Sequence, residues 1–174
     1  MIYKEILQMQ GSIIYIMGVS GSGKTTVGRL LSQKLNIPFY DADDFHLQVN
    51  KEKMKAGQPL NDEDRSEWLQ KLNALAIEQQ QLKGTIIACS ALKQKYRAVL
   101  NEDIIKPIWI FLQGNYELIL DRIKKREAHF MPAALLQSQF DSLEMPAEAF
   151  CINIEKAPEE MVELIIGNFH KNNL

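Results

Sequence analysis

Short apolar runs alternate along the chain with longer segments in which apolar residues recur every three or four positions. The apolar runs predict five buried β-strands, at residues 12–18, 37–41, 85–90, 108–113 and 150–154. Two segments show helical spacing most clearly, with Val27, Leu30, Leu31 and Leu35 in 24–35 and Leu69, Leu72, Leu75 and Ala76 in 68–82. Strand followed by helix over nearly the whole length predicts an α/β fold, a five-stranded parallel sheet between two layers of helices.

Composition and charge narrow the class of protein further. The 174 residues contain no internal repeat or long linker, so we expect one domain over 1–174. The net charge of −2 and the pI near 5.9 give no indication of a nucleic-acid partner. Because no stretch approaches the roughly 20 apolar residues of a membrane span, and MIYKEILQMQ lacks the apolar core of a signal peptide, we expect a cytoplasmic protein without a membrane partner. Cys89 and Cys151 both lie in predicted strands, which predicts two buried free thiols.

The first predicted strand leads directly into a glycine-rich sequence, GVSGSGKT, at residues 18–25. This matches G-x-x-x-x-G-K-[ST] in full and lies between a strand and a helix, as phosphate binding requires. Main-chain N–H groups and the helix N-terminus would bind the phosphates of a nucleoside triphosphate, Lys24 would reach its terminal oxygens, and the Thr25 hydroxyl would bind Mg²⁺. The predicted nucleotide-binding residues are Gly18, Val19, Ser20, Gly21, Ser22, Gly23, Lys24, Thr25 and Thr26.

A cluster of aspartates follows the second predicted strand, in FYDADDFH at residues 39–46. Asp41 ends that strand and should reach the same sheet edge as the phosphate loop. We expect Asp41 to bind the Mg²⁺ ion directly or through water, together with Thr25. Asp43 is then left to face the phosphate acceptor and to take the proton from its attacking hydroxyl. Either Asp41 or Asp43 could accept that proton, and Asp44 is expected to be a turn residue.

Longer stretches carry a family resemblance. GVSGSGKTTVG, FYDADDFH, NKEKMKAGQPLNDEDRSEWLQ, ACSALKQKYRAVL and REAHFMPAALLQSQFDSLE together resemble the gluconokinases of the small P-loop type, which are related to shikimate kinases and nucleoside monophosphate kinases. The resemblance extends from about residue 13 to residue 165. It implies a P-loop NTPase fold like that of the monophosphate kinases, and transfer of the γ-phosphate of ATP to the 6-hydroxyl of D-gluconate with Mg²⁺. It also implies a homodimer.

The acceptor implied by this resemblance carries a carboxylate and a row of hydroxyls. A carboxylate favours an arginine, because a guanidinium offers two parallel donors to a planar anion. Arg65 and Arg97 are the candidates, one at the end of the acceptor-binding segment 44–65 and the other after CSALK. The remaining candidate contacts to the acceptor are Asp43, His46, Ser90, Lys93 and His129.

The segment 122–140 is expected to form a short lid. In the related kinases such a segment closes over ATP and brings arginine to the transferring phosphoryl group, which is apt for a reaction governed by positioning and charge. Arg126 is the first candidate for the γ-phosphate and Arg122, four residues earlier, is the second. After the last strand, the loop 153–160 offers Ala157 and Pro158 to the adenine ring.

Two alternative functions stay open on the residues alone. Shikimate or a nucleoside monophosphate is another acceptor for the same scaffold, since either would also require arginines. A non-catalytic nucleotide-binding module is the second alternative, although such a module has no need of acceptor residues or lid arginines. The resemblance of the acceptor segment 44–65 separates the gluconokinases from the first alternative, and dependence of ATP turnover on an added sugar acid distinguishes a kinase from the second.

Overall fold

The computed structural model describes residues 11–125 and 133–171. The strands are β1 Ile13–Met17, β2 Phe39–Asp41, β3 Thr85–Ala88, β4 Ile108–Gln113 and β5 Phe150–Asn153. The helices are α1 Lys24–Leu35, α2 Gln48–Lys55, α3 Asp62–Gln80, α4 Gln94–Asn101, α5 Tyr116–Lys124, α6 Ala133–Ser142 and α7 Pro158–Lys171, with a short 3₁₀ helix at Ala42–Phe45. The sheet has the order β2-β3-β1-β4-β5 and all of its pairs are parallel, which confirms the predicted sheet.

The strand order brings the ends of β1, β2 and β3 to one edge of the sheet. Asp41 lies beside Ala88, and Ala88 lies beside Ile16, so the residues that follow these strands emerge together. The chain runs from β1 outward to β2, returns to β3, and then crosses to β4 on the other side of β1. Such a reversal at the carboxyl ends of the strands creates the crevice in which α/β proteins bind ligands.

The alternation of side chains along each strand divides the core between the two faces of the sheet. Ile14 and Ile16 pack on one face with apolar residues of α1 and α7. Tyr15 and Met17 pack on the other face with apolar residues of α3 and α4. The Tyr15 hydroxyl donates to the Leu100 carbonyl at 2.7 Å, and this hydrogen bond holds α4 against the same face of the sheet. The predicted three-layer α/β/α architecture is thereby confirmed.

Local hydrogen bonding explains where α3 begins. The apolar spacing predicted a helix from residue 68, but the helix begins at Asp62. The Asn61 side chain accepts the Asp64 N–H at 2.8 Å, and the Asp64 carboxylate accepts the Asn61 N–H at 3.1 Å. This reciprocal capping box starts the helix two turns before its apolar stripe. Asn61 is therefore the N-cap residue of α3.

The cysteines differ from the prediction in one respect. Cys89 is buried beyond the end of β3, whereas Cys151 is exposed. Cys151 lies in β5, a strand at the edge of the sheet, while its neighbour Ile152 points into the core. The prediction that both thiols are buried is therefore wrong for Cys151. Strand order, which decides which strand lies at the edge, is not visible in the apolar pattern.

Among residues 11–125 and 133–171, no helix combines the length and the apolar character that a bilayer span needs.

Candidate active site

The phosphate loop is shaped by its glycines. Gly18, Gly21 and Gly23 have φ angles of 145°, 83° and 99°, which other residues adopt only with strain. A side chain at Gly18 would also meet the Leu112 carbonyl oxygen at 2.8 Å. Gly23 precedes the first turn of α1, so the N–H groups at that helix end face the loop. The geometry is that of an anion-binding loop.

Lys24 begins α1 and curls back over the loop. Its Nζ donates to the carbonyl oxygens of Gly18 at 3.0 Å and of Val19 at 3.1 Å. The ammonium charge is therefore held above the concave side of the loop, where it attracts phosphate oxygens.

Thr25 and Asp41, the two predicted metal ligands, are brought together. The Thr25 hydroxyl donates to Asp41 Oδ2 at 2.6 Å. The other carboxylate oxygen accepts the Asp43 N–H at 3.2 Å, which fixes the orientation of the Asp41 side chain. Mg²⁺ prefers oxygen ligands and often binds through one or two protein groups together with phosphates and water, so this donor pair fits the ion. In the part of the chain that the structure describes, no group of three or more His, Cys, Asp and Glu side chains is arranged to bind a metal.

Asp43 lies one turn beyond the metal pair, in the 3₁₀ helix. Its carboxylate opens toward a cavity beside the phosphate loop. Partial desolvation by the surrounding walls raises the pKa of Asp43; the Lys24 charge opposes this effect, and the carboxylates of Asp41 and Asp44 add to it. The Asp43 side chain is 79% exposed, so its suitability as a proton acceptor rests on its position at the cavity beside the phosphate loop and not on its pKa.

His46 forms the wall next to Asp43. Its ring stacks on Trp68 with centroids 4.3 Å apart and an angle of 11°, and its side chain is only 4% exposed. Burial, followed by the charges of Arg65 and Lys51, lowers the pKa of His46 to about 4, so the imidazole is neutral near pH 7. Nδ1 is buried without a hydrogen-bond partner among the described residues, while Nε2 lies 4.0 Å from Asp43 Oδ1. Since an unpaired N–H is costlier to bury than an unpaired lone pair, the proton belongs on Nε2, facing Asp43.

The cavity has a volume of about 150 Å³ and connects the phosphate loop with the predicted acceptor segment. Four parts of the chain contribute to its wall: the phosphate loop, the segment from the 3₁₀ helix to α3, the β3–α4 connection with the start of α4, and α6. The predicted site residues on the wall are Ser20, Asp43, His46, Arg65, Ser90 and Lys93.

Two cations on the cavity wall, Arg65 and Lys93, lie near the ring of Tyr96. The Arg65 guanidinium and the Lys93 ammonium are each 5.6 Å from the centre of the Tyr96 ring. The Lys93 ammonium forms an ion pair with the Asp62 carboxylate, 3.1 Å away, which partly neutralises its charge. Arg65 donates to the Leu60 and Asn61 carbonyls, which do not neutralise its charge. Arg65 is therefore the cation with more charge available to an anionic acceptor.

Arg97 is placed behind this wall rather than on it. It is only 4% exposed, and its guanidinium donates to the Ala91 carbonyl at 2.8 Å, the Leu92 carbonyl at 3.1 Å and the Gln94 side chain. Ala91 has a positive φ of 43°, so the guanidinium holds a strained turn. The predicted direct contact between Arg97 and the acceptor is not supported by this placement. Arg97 instead supports the loop that carries Ser90, Leu92 and Lys93 into the cavity.

A second cavity, of about 280 Å³, lies on the other side of the phosphate loop. Its wall includes Gly23, Thr26, Arg122 and Pro158. The Arg122 guanidinium donates to the Ile154 carbonyl, so it faces the loop 153–160 rather than Asp43. Arg122 and Thr26 thus line one cavity with Pro158, the residue for which the sequence predicted an adenine contact. Placement beside the transferring phosphoryl group is not supported for Arg122.

The predicted residues Arg126 and His129 lie outside the described residues, as does the middle of the predicted lid. Sequence reasoning also missed several wall residues, namely Gln58, Trp68, Tyr96, Ser138, Gln139 and Ser142. Ser138, Gln139 and Ser142 recur at helical spacing in α6, and this polar stripe was the signal available in the sequence.

Known proteins and solved structures share this sequence pattern and fold. The shikimate kinase family model matches residues 20–163. A Xenopus tropicalis protein named "Probable gluconokinase" is 43% identical over 174 residues, covering 89% of this chain and 92% of that protein. The gluconokinase of Arabidopsis thaliana is 41% identical, with 90% and 91% covered. The crystal structure of a gluconokinase from Sinorhizobium meliloti 1021 superimposes with a TM-score of 0.85 at 32% identity, covering 92% of each chain. The chain therefore belongs to the shikimate kinase family and, within it, to the gluconokinases.

Proposed function

We propose that this protein transfers the γ-phosphate of ATP to the 6-hydroxyl of D-gluconate, giving 6-phospho-D-gluconate and ADP. The observation that carries the proposal is the cavity shared by Ser20 of the phosphate loop, Asp43, and the cations Arg65 and Lys93. A nucleotide held by the loop and an anionic polyol held by these side chains would meet at one point. Relatives of about 40% identity that are named gluconokinases support the same acceptor.

The residues of the site have separate roles in the proposed reaction, set by where each one lies. The loop N–H groups and Lys24 bind and orient the phosphates, while Thr25 and Asp41 would hold Mg²⁺, which supplies charge neutralisation for the triphosphate when it is bound. Asp43 orients the attacking hydroxyl and accepts its proton. Asp43 is the better candidate for that proton because the Asp41 carboxylate is already engaged by the Thr25 hydroxyl and the Asp43 N–H.

Acceptor recognition follows from the far wall of the cavity. We propose that Arg65 binds the gluconate carboxylate and that Lys93 adds positive charge nearby. Arg65 is preferred because no carboxylate neutralises its guanidinium, whereas Lys93 is paired with Asp62. His46 and Ser90 supply donors and acceptors for hydroxyls along the chain of the acceptor. Placing the carboxylate at the end away from the loop directs the terminal 6-hydroxyl toward Asp43.

The alternative functions fit these observations less well. Shikimate kinases share the fold, as the Aquifex aeolicus enzyme does with a TM-score of 0.63 at 23% identity, but a likeness at that level concerns the fold alone. A non-catalytic nucleotide module would need neither Asp43 beside the loop nor an adjoining cavity lined with cations.

Release of ADP by the purified protein tests the proposal, with ATP and Mg²⁺ present and gluconate, shikimate, AMP or no acceptor added. We expect a large rate with gluconate alone. Turnover with shikimate or AMP instead would overturn the acceptor assignment, and a rate independent of any acceptor would overturn the kinase function.

Finer properties are proposed on the family resemblance. We expect ATP to be preferred over GTP, the 122–140 segment to act as the lid while its α6 part stays packed on the core through Leu136, the protein to form a homodimer, and its location to be cytoplasmic. Competition between ATP and GTP in the same ADP-release assay, and light scattering of the eluted protein, test the first and third of these expectations.

A further inference from the structure

Gln139 makes a paired contact with the phosphate loop. Its side-chain Oε1 accepts the Ser20 N–H at 2.7 Å, and its Nε2 donates to the Ser20 hydroxyl at 3.2 Å. Both ends of the amide are therefore engaged by one residue of the loop. The two residues are 119 positions apart in sequence, so this contact joins α6 to the phosphate loop.

The contact lies where the two substrates of the proposed reaction would meet. Ser20 and Gln139 both line the acceptor cavity, together with Asp43. Ser20 is therefore on the acceptor side of the loop, the side from which a terminal phosphoryl group must leave. On the same helix, Leu136 is buried in the core and Phe140 packs edge-on against Tyr116 with ring centroids 5.5 Å apart. These apolar anchors keep α6 docked, and the polar side chain of Gln139 reaches the loop from that fixed base.

We propose that Gln139 competes with the terminal phosphate of ATP for Ser20 and thereby links nucleotide binding to α6. The inference rests on the proposed function, which supplies ATP as the nucleotide. An amide oxygen on a loop N–H takes the position that suits a phosphate oxygen, and the charged oxygen is the stronger acceptor. A terminal phosphate thus displaces Gln139. ADP, which lacks that phosphate, leaves the contact in place.

Displacing the Gln139 side chain from Ser20 would change the polar groups on the wall of the acceptor cavity. Ser138 and Ser142 lie on the same wall of the cavity and the same helix as Gln139. Once released from Ser20, the Gln139 amide is a donor and acceptor facing the cavity. Binding of the terminal phosphate therefore changes the polar wall that the acceptor meets, and Gln139 is a positioning residue between the two sites.

The experiment compares binding of a non-hydrolysable β,γ-imido analogue of ATP and of ADP, each with Mg²⁺ and without acceptor, by titration calorimetry. The variants are Gln139→Ala and Gln139→Met, the second keeping the length of the side chain but neither hydrogen-bonding group. Gln137→Ala is the matched control, because Gln137 is on the same helix, is exposed, and bonds only locally to Asp141 at 2.8 Å.

Both Gln139 variants are expected to bind the ATP analogue roughly threefold to tenfold more tightly than the wild type, the equilibrium equivalent of one net hydrogen bond. Their affinity for ADP is expected to change less than about twofold, and the control should match the wild type for both ligands. Unchanged or weaker analogue binding overturns the proposal, as does an equal gain for ADP, which would indicate a general loosening of the loop. These binding measurements use no gluconate, so they test the role of Gln139 even if the acceptor of the proposed reaction is a different molecule. Failure of the wild type to bind the analogue would overturn the proposed function and this inference together.

Discussion

Replacing Arg97 with methionine separates a supporting role from direct binding of the acceptor. Methionine keeps most of the aliphatic stem but removes every donor. The Leu92 carbonyl keeps a partner, since it also accepts the Glu144 N–H at 2.9 Å, and the exposed Gln94 side chain can turn to water. The Ala91 carbonyl loses its guanidinium partner within a buried turn.

The expected loss of stability in Arg97→Met comes mainly from the Ala91 carbonyl, which is left without a partner. An unsatisfied buried acceptor costs about 1–3 kcal/mol. Removing a guanidinium whose pKa is lowered by burial returns part of the desolvation penalty. We therefore expect Arg97→Met to lower the free energy of unfolding by about 2 kcal/mol, which corresponds to about 4–8 °C in Tm for a domain of this size.

Urea unfolding and steady-state kinetics provide the assay. Arg29→Met is the matched control, because Arg29 is an exposed arginine on α1 whose contact is a cation–π interaction with Phe39 at 5.9 Å. The control should lose less than about 1 kcal/mol. For Arg97→Met we expect the stability loss with only a modest rise in KM for gluconate. Unchanged stability with a KM for gluconate more than about 100-fold higher would refute the supporting role and return Arg97 to the acceptor.

Two further predictions concern pH and metal. The pKa of His46 is about 4 in the folded protein, against 6.5 for an ordinary histidine. Between these two values the unfolded chain binds a proton that the folded protein does not, so stability is lost as pH falls from about 6.5 toward 4. Urea unfolding should show a loss of about 2 kcal/mol between pH 7.5 and 5 that is absent from His46→Phe, and equal pH slopes in both proteins would contradict the buried neutral imidazole. Thr25→Val keeps the shape of the side chain but removes the hydroxyl bonded to Asp41, so the Mg²⁺ concentration for half-maximal activity should rise at least about tenfold. An unchanged Mg²⁺ requirement would remove Thr25 from the metal site.

The sequence was most informative where the structure depends on neighbouring residues. The strands follow the apolar runs, and the phosphate loop follows from three glycines whose φ angles other residues avoid. Asn61 and Asp64 start α3 through contacts three residues apart. Parallel pairing then brings Asp41 and Thr25 together, because strands β1 to β3 end at one edge.

Features that depend on distant contacts were not predictable in this way. The sequence shows an arginine at position 97 but not whether it faces a cavity or the carbonyls of its own loop. Gln139 reaches Ser20 across 119 residues, and nothing near either residue indicates that contact. Cys151 is exposed because β5 lies at the edge of the sheet, whereas Cys89 is buried just beyond the interior strand β3. In each case the deciding information is the order in which elements pack.

The most direct measurement of the central claim compares Asp43→Asn with Asp44→Asn. Asparagine preserves size and removes the proton acceptor at Asp43, while Asp44, exposed as Asp43 is, is expected to serve only the turn. We predict that Asp43→Asn lowers kcat with gluconate by at least about 100-fold, while the Kd for the ATP analogue stays within about threefold and Asp44→Asn stays near the wild type. Wild-type turnover in Asp43→Asn would contradict the assignment of the acceptor hydroxyl to Asp43, and an equal loss of turnover and analogue binding would place Asp43 at the metal instead.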